Sequence, residues 1–280
     1  MPPPEQPSDL PPEVPSDVPS AGQVPIRVTV TADEAELAAD RLFVAGASAV
    51  SELARDDGAV DLLADPDRGS SWQDHAEVVV VGDRLVVRPE WIPASPLAPD
   101  ALEVVVAAAD AFGSGAHPTT RMCLELVEAL LTDAAVAEGA RVLDVGSGSG
   151  VLAVAAALLG ASEVRCHDIA PEALDATARS AASSGVADRV RVSAEPVEQS
   201  DLDSGFDLVL ANLLVPIIEE LGTTLRTAVA PGGRLVLSGV LVDQRERAIA
   251  ACAPLAVVDE RRDGEWLALV LQREALADQL

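Results

Sequence analysis

Short apolar runs alternate with longer helical stretches along most of the chain. Residues 142–145 form an apolar run of strand length, glycines follow at 146, 148 and 150, and residues 151–159 continue as an Ala- and Leu-rich run until Gly160. This order predicts a buried strand, a glycine turn and a helix. Further strands are predicted at 164–168, 190–192, 206–214, 234–239, 257–258 and 266–271, helices at 173–183, 215–228 and 243–252, and tight turns at 231–233 and 263–264. Repeated strand–helix units that end in a strand pair predict a doubly wound α/β sheet rather than a barrel.

The N-terminal part has a different pattern. Residues 26–30 alternate as a strand, 34–46 show helical spacing, and 49–53 and 60–63 read as strands around the turn residues 56–58. Strand, helix, strand, strand is about half of a ferredoxin-like unit, and the polar stretch after it shows no second helix. We therefore expect a small, truncated ferredoxin-like α/β module.

These patterns suggest four segments. Residues 1–24 are rich in proline and predict a disordered tail. Residues 25–68 are predicted to form the small α/β module, 69–98 a Trp-bearing linker, and 99–280 the main domain. The linker contains strand-like runs at 78–81 and 84–87, and Trp72 and Trp91 lie near its ends. We interpret these tryptophans as packing residues rather than as catalytic ones.

The net charge of the chain limits the classes of molecule that it is expected to bind. A formal net charge of −27 argues against direct binding of nucleic acid and favours a basic protein partner, although the acid content also has the simpler role of keeping the protein in solution. The sequence shows no membrane span and no signal peptide. Three widely spaced cysteines suggest reduced thiols and no metal site. We therefore expect a cytoplasmic protein that binds no membrane.

Two features predict an adenosine-type ligand. The glycine turn brings the backbone close to a ligand at a helix N-terminus, and glycine at these positions leaves room for that approach. Asp168 ends the next predicted strand, about twenty residues downstream, where a carboxylate accepts hydrogen bonds from both hydroxyls of a ribose. The alternative is a plain strand–turn–helix with a surface aspartate.

Two further segments are candidates for the site. The loop at 110–120 contains two glycines, Phe112, His117 and two threonines just before a helix that begins near Thr119. It is well placed to close over a ligand, or else Thr119 or Thr120 is only a helix N-cap. Asn212, the only asparagine in the chain, ends a predicted strand on the edge where open α/β sheets bind ligands.

Together these segments resemble a known family. DVGSGSG, the strand that ends in Asp168, FDLVLANLL and PGGRLVLSG are similar to the class I S-adenosylmethionine-dependent methyltransferases, which have a Rossmann-like sheet. The loop AFGSGAHPTTRMCLE resembles, more specifically, that of the family that methylates ribosomal protein L11 of the large subunit. LVVRPEW and LSGVLVDQ also fit this family, and the resemblance covers about 25–273.

The resemblance implies S-adenosyl-L-methionine as the cofactor and a site for it on this chain. The implied cofactor-binding residues are Phe112, Thr120, Gly146, Gly148, Asp168 and Asn212. Asp168 would hold the ribose hydroxyls, and the two glycines would admit the methionine portion. His117 would cover the cofactor together with Phe112 and Thr120. Asn212, with Leu213, would shape the slot through which an amine reaches the methyl group, so Asn212 and His117 are the catalytic candidates.

Some positions depart from the family pattern. These are Ala107–Ala109 in place of Asp-Pro-Gly, Ala116 in place of Thr, Ser147 in place of Cys, and Val215-Pro216 in place of Ala-Gly. The N-terminal module, which recruits the ribosomal protein in the family, is short here. The change at Ser147 is mild, whereas Val215-Pro216 and the short N-terminal module concern the choice of substrate more than the cofactor.

The predicted function is therefore a protein N-methyltransferase. Its substrates would be lysine or N-terminal amines of ribosomal protein L11. A sulfonium methyl is already activated, so the protein mainly aligns it with a neutral amine, and an apolar slot lowers a lysine pKa. This chemistry requires no dedicated general base, although His117 is a candidate for one. The alternatives are a related methyltransferase for another protein or a small molecule, and an inactive cofactor-binding interaction module.

Overall fold

The computed structural model describes residues 26–31, 47–55, 58–66, 77–107, 115, 117–132, 139–197 and 199–275. The chain divides into two compact units, Met1–Ser71 and Trp72–Leu280. The predicted tail and the helix predicted at 34–46 lie outside the described residues. The four-segment division of the chain stays a prediction.

The first unit contains a three-stranded antiparallel sheet in the order β1-β3-β2. Its strands are β1 (Ile26–Thr31), β2 (Ala47–Ala54) and β3 (Ala59–Pro66). Thr29 lies opposite Asp61, and its hydroxyl donates to the Asp61 carboxylate at 2.6 Å. This bond is the main reason why the pKa of Asp61 lies below its ordinary value, and Arg55 contributes at 3.3 Å. The cross-strand bond therefore fixes the register of a small sheet.

The second unit contains two sheets and six α-helices within its described residues. The strands are β4 (Val79–Val81), β5 (Leu85–Pro89), β6 (Leu102–Val106), β7 (Arg141–Val145), β8 (Glu163–His167), β9 (Val190–Ser193), β10 (Phe206–Asn212), β11 (Val229–Leu241), β12 (Ala256–Asp263) and β13 (Trp266–Gln272). The helices are α1 (Pro118–Thr132), α2 (Val151–Leu158), α3 (Pro171–Ser183), α4 (Gln199–Ser204), α5 (Val215–Ala228) and α6 (Arg245–Ala251), the last preceded by a 3₁₀ turn, Val242–Gln244. No helix of the described residues is long and apolar enough to cross a membrane.

The main sheet has seven strands in the order β12-β13-β11-β10-β7-β8-β9. The strands β11, β10, β7, β8 and β9 run parallel. Strand β13 is antiparallel to its neighbours β11 and β12. This is the doubly wound α/β sheet that the sequence predicted.

Helices cover both faces of this sheet because its strands are apolar on both sides. Leu208 and Leu210 of β10 pack in one core with helices α1 and α2, whereas Phe206 and Val209 pack in a second core with α5. α2 is almost wholly apolar and is buried along its length, which fits a helix wedged between a sheet and neighbouring helices. α3 begins with Pro171, a favoured first residue.

A smaller sheet in the order β4-β5-β6 packs on the first core. Glu128 of α1 anchors its first hairpin, because the Glu128 carboxylate accepts the amide of Asp83 at 2.9 Å. The guanidinium of Arg88 bonds both carboxylate oxygens of Glu103, at 2.7 and 3.0 Å, across β5 and β6. The strand-like runs predicted at 78–81 and 84–87 are confirmed, because they correspond to β4 and β5.

Residues 231–233 were expected to form a tight turn before a strand at 234. They lie within the bounds of the longer strand β11, but as a bulge, because the register jumps from Phe206–Val229 to Leu208–Arg234 and Gly232 has φ of +80°. Arg273, the residue after β13, holds this segment, since the Gly232 amide donates to Arg273 O at 3.0 Å and the Arg273 amide donates to Gly233 O at 3.1 Å.

Candidate functional site

The strand order brings three predicted site residues to one edge of the sheet. β7 lies between β10 and β8 and runs parallel to both. The chain builds β8 and β9 on one side of β7 and then crosses to β10 and β11 on the other. Open α/β sheets bind ligands outside the carboxyl ends of the strands at such a switch point. Asn212 ends β10, Gly146 follows β7 and Asp168 follows β8, so the crevice lies among them.

The glycine turn is packed so closely that side chains are excluded. Gly146 has φ of +76°, and a Cβ there would collide with the side chain of Leu213. Gly150 has φ of +80°, and its Cβ would lie 2.8 Å from Cα of Thr177. Both positions therefore need glycine for backbone conformation, and Gly150 needs it for space as well, because its neighbour is backbone rather than the tip of a side chain.

The amides of the turn are already bonded within the protein. Gly146 and Ser147 both donate to the carbonyl of His167, at 2.7 and 3.2 Å, and Gly148 donates to Asp168 Oδ2 at 2.9 Å. The turn was expected to present these N–H groups to the ligand, but it uses them to hold β7 against β8. What it offers a ligand is close approach of the backbone, together with the Asp168 carboxylate. Gly146 and Gly148 stay predicted cofactor contacts on that basis.

Asp168 is held in a fixed orientation. Its Oδ2 accepts the Gly148 amide and its Oδ1 accepts the Ala170 amide at 3.0 Å. A carboxylate has about four acceptor positions, so two amide donors leave capacity for two hydroxyl groups of a ligand. The geometry is suited to a ribose diol.

Ile169 is a site candidate that the sequence reasoning missed. It is 96% exposed, although it follows the last strand residues by only two positions. An apolar side chain this exposed beside a fixed carboxylate offers a surface for a flat, apolar ring such as adenine. The sequence signal is weak, because an isoleucine at a strand end usually belongs to the core. Glu195 is exposed just beyond β9, at the same edge of the sheet.

Asp144 is the second residue that sequence reasoning missed. It lies on β7 and is 1% exposed, and its Oδ2 has no hydrogen-bond partner among the described residues. Burial, and then the nearby charge of Asp168, raise its pKa to about 7, while the amide of Ala153 opposes the shift. The sequence signal was a carboxylate in the middle of the apolar run VLDV. The raised pKa means that a second negative charge is unfavourable here, and a cationic group placed near Asp144 would favour its ionised form.

His117 begins α1. Its Nδ1 accepts the amide of Thr119 at 3.3 Å and lies 2.8 Å from the Thr119 hydroxyl. The expected alternative, a threonine N-cap, is therefore replaced by a histidine one. The ring lies edge-on to Trp266 at 5.3 Å between centroids, and burial lowers the pKa of His117.

The first turn of α1 lies over the ends of β10 and β11. The Ser238 hydroxyl donates to Thr119 O at 3.4 Å, and Ser238 is the register partner of Asn212. Thr120 is 1% exposed, and its hydroxyl has no hydrogen-bond partner among the described residues. The structure thus brings the start of α1 to the same end of the sheet as Asn212.

Asn212 and Leu213 form the other side of the crevice. Asn212 is partly exposed at the end of β10, and the Leu213 amide donates to Ser238 O at 3.0 Å. Gly239 has φ of +78°, and a Cβ there would lie 2.5 Å from Leu213 O. Leu213 is therefore held between two glycines, Gly146 and Gly239. Phe112 lies outside the described residues.

The residues present fit S-adenosylmethionine. Asp168 has acceptor capacity for a ribose diol, the exposed Ile169 offers apolar surface to the face of a ring, and the charge of Asp168 favours a cationic group such as a sulfonium or ammonium. Asp144 Oδ2 is a buried acceptor without a partner among the residues described, which such a cation would stabilise.

Comparisons with known proteins agree with this geometry. A family model described as "Ribosomal protein L11 methyltransferase (PrmA)" matches residues 25–274. The chain is similar to the ribosomal protein L11 methyltransferase of Citrifermentans bemidjiense, with 41% identity over 215 residues, 76% of this chain and 69% of the relative. It is also similar to that of Geobacter metallireducens, with 37% identity over 242 residues, 85% of this chain and 77% of the relative. Among solved structures, a ribosomal protein L11 methylase from Lactobacillus delbrueckii subsp. bulgaricus superimposes with a TM-score of 0.62 and 29% identity, over 70% of this chain and 98% of that one.

Proposed function

We infer the function of this chain from one premise: it belongs to the ribosomal protein L11 methyltransferase (PrmA) family. It is an enzyme that uses S-adenosylmethionine to methylate ribosomal protein L11. The observation that connects this function to the chain itself is Asp168, held by two backbone amides beside a glycine turn at the switch point of the sheet.

We propose the following roles for the residues on the cofactor side. Asp168 accepts the ribose hydroxyls, Ile169 contacts the adenine, and Gly146 and Gly148 admit the methionine portion. Thr120 and Phe112 cover the bound cofactor. The cofactor, when bound, supplies an activated methyl group, so these residues bind and orient it and need not create reactivity.

We propose that Asn212 and Leu213 form the slot for the acceptor amine, which belongs to a lysine or an N-terminus. Leu213 supplies apolar surface, and an apolar slot favours the neutral amine that has a lone pair. Asn212 supplies a polar group that aligns it, and alignment lowers the barrier by limiting the motions of the reacting groups. His117 completes the site by fixing the start of α1 and the ring of Trp266, because its Nδ1 is occupied by Thr119.

The partner and compartment are part of the same proposal. A net charge of −27 favours a basic protein substrate and disfavours direct contact with nucleic acid. We also propose that the enzyme binds no membrane and acts in the cytoplasm, in keeping with its three free, buried cysteines. Residues 25–68 would recognise the substrate, and residues 99–280 would bind the cofactor and catalyse the transfer. Residues 69–98 would link these two parts.

Labelled methyl transfer tests this proposal. The purified chain is incubated with labelled S-adenosylmethionine and purified L11, and the product is measured by intact mass and peptide mapping. We expect mass gains in multiples of one methyl group on lysine or N-terminal amines of L11. Transfer to another ribosomal protein or a small molecule instead would overturn the substrate assignment. Cofactor binding without any transfer would indicate an inactive binding module.

A further inference from the structure

One face of α3, continued by its C-cap residue Ser184, carries three hydroxyl side chains that bond to backbone outside the helix. They are Thr177, Ser180 and Ser184, at spacings of three and four residues. Thr177 bonds to the glycine turn, Ser184 bonds to Val105 of β6, and Ser180 bonds to both the turn and Ala107. The face thus forms a row of contacts that leads from β6 to the glycine turn.

Hydroxyls at these positions need an explanation. Thr177 and Ser180 are 0% exposed, and neighbouring buried positions of α3 are alanines such as Ala173 and Ala176. A buried hydroxyl costs free energy unless it is hydrogen-bonded, whereas alanine costs none and favours a helix. The chain therefore retains polar groups where an apolar residue would pack.

Thr177 makes the contacts nearest to the crevice. Its hydroxyl donates to Gly148 O at 3.1 Å and lies 3.0 Å from the hydroxyl of Ser147. Its backbone also forms the surface against which Gly150 packs. Thr177 therefore contacts Ser147 and Gly148 through its hydroxyl and packs against Gly150 through its backbone.

These contacts continue to the ribose-binding acid. The Gly148 carbonyl is fixed by Thr177, and the Gly148 amide donates to Asp168 Oδ2 at 2.9 Å. We propose that Thr177 is a positioning residue for the cofactor, which acts through Gly148 to hold the Asp168 carboxylate ready for the ribose hydroxyls. This inference rests on the proposed function, because it assigns a means of orienting the acid that the function requires.

Thr177→Val tests the proposal, because valine keeps the shape and removes only the hydroxyl. The measurement is the Kd of S-adenosylhomocysteine by calorimetry, with circular dichroism and a melting curve to confirm folding. We expect about tenfold weaker binding, since Gly148 O and the Ser147 hydroxyl lose a buried partner. Thr177→Ser keeps the hydroxyl and should bind within about twofold of the parent protein.

Ser184→Ala is the matched control. Ser184 lies on the same face and accepts the amide of Val105 at 2.9 Å, but it is two turns from Thr177. Its loss should lower the melting temperature without changing the Kd. Equal weakening by Thr177→Val and Ser184→Ala would mean that α3 acts only through stability and would overturn the proposal.

A double-mutant cycle separates this inference from the proposed function. If Thr177 acts through Asp168, Thr177→Val should add less than a twofold effect in the Asp168→Ala background. Full additivity would overturn the route through Asp168. An Asp168→Ala variant that binds normally would instead refute the pocket assigned under the proposed function. Normal binding by Thr177→Val alone would refute only the positioning role.

Discussion

The two sides of the crevice are held by different forces. On the β8 side, Asp168 accepts two backbone amides and Thr177 fixes the turn by its hydroxyl. On the β10 side, Leu213 is held by close packing between Gly146 and Gly239. The polar side suits recognition of a ligand with defined hydrogen-bonding groups. The packed side suits a slot whose shape must stay constant while an amine enters it.

Asp168→Ala should give the largest effect, on binding. Losing a charged acceptor for two hydroxyls should weaken S-adenosylhomocysteine binding about 100-fold, measured by calorimetry. Asp175→Ala, an exposed acid on α3, is the control and should leave the Kd unchanged. A Kd for Asp168→Ala close to that of the parent protein would mean that the β8 side of the crevice does not recognise the cofactor.

Asp144→Asn should change how stability depends on pH. The native pKa of about 7 lies above the ordinary value of 3.8, so the folded state binds more protons than the unfolded state between these values. The free energy of unfolding should therefore fall as pH rises through this window and level off above it. Between about pH 5 and pH 7, the parent protein should lose about 2 kcal/mol more than the variant. Urea unfolding at each pH measures this, and parallel curves would mean that Asp144 keeps an ordinary pKa.

Asn212→Ala should affect transfer rather than binding. We expect the single-turnover rate to fall about 10-fold because the amine is aligned less well, while the Kd of S-adenosylhomocysteine changes less than about threefold. Asn212→Asp keeps the size and tests whether the amide itself is needed. A parallel loss of binding and rate would show that the two sides of the crevice do not act separately.

His117→Asn should give the smallest effect. Asparagine is a good N-cap, so α1 should still begin at Pro118 and the rate at saturating cofactor should stay within about threefold. The pH dependence of the rate should also keep its shape, because the Nδ1 lone pair already serves Thr119. A lost acidic limb in the rate profile would identify His117 as a general base.

The sheet was predictable because its strands and turns have clear local signals. The glycine turn, Asp168 and Asn212 follow apolar runs, and the parallel order places all three at one edge. Ile169 and Asp144 were missed because their importance depends on exposure and burial, which the local sequence does not encode. Thr177 is recognised only when α3 is placed against the turn, since a threonine within a helix carries no signal of what it contacts.

The contact between His117 and Trp266 gives the enzyme a built-in optical reporter. The chain has no tyrosine and three tryptophans, so its near-ultraviolet emission comes from few rings. Trp266 lies 5.3 Å from the imidazole that begins α1, beside the strand ends that form the crevice. Its fluorescence should therefore follow events at the entrance of the site without any attached dye.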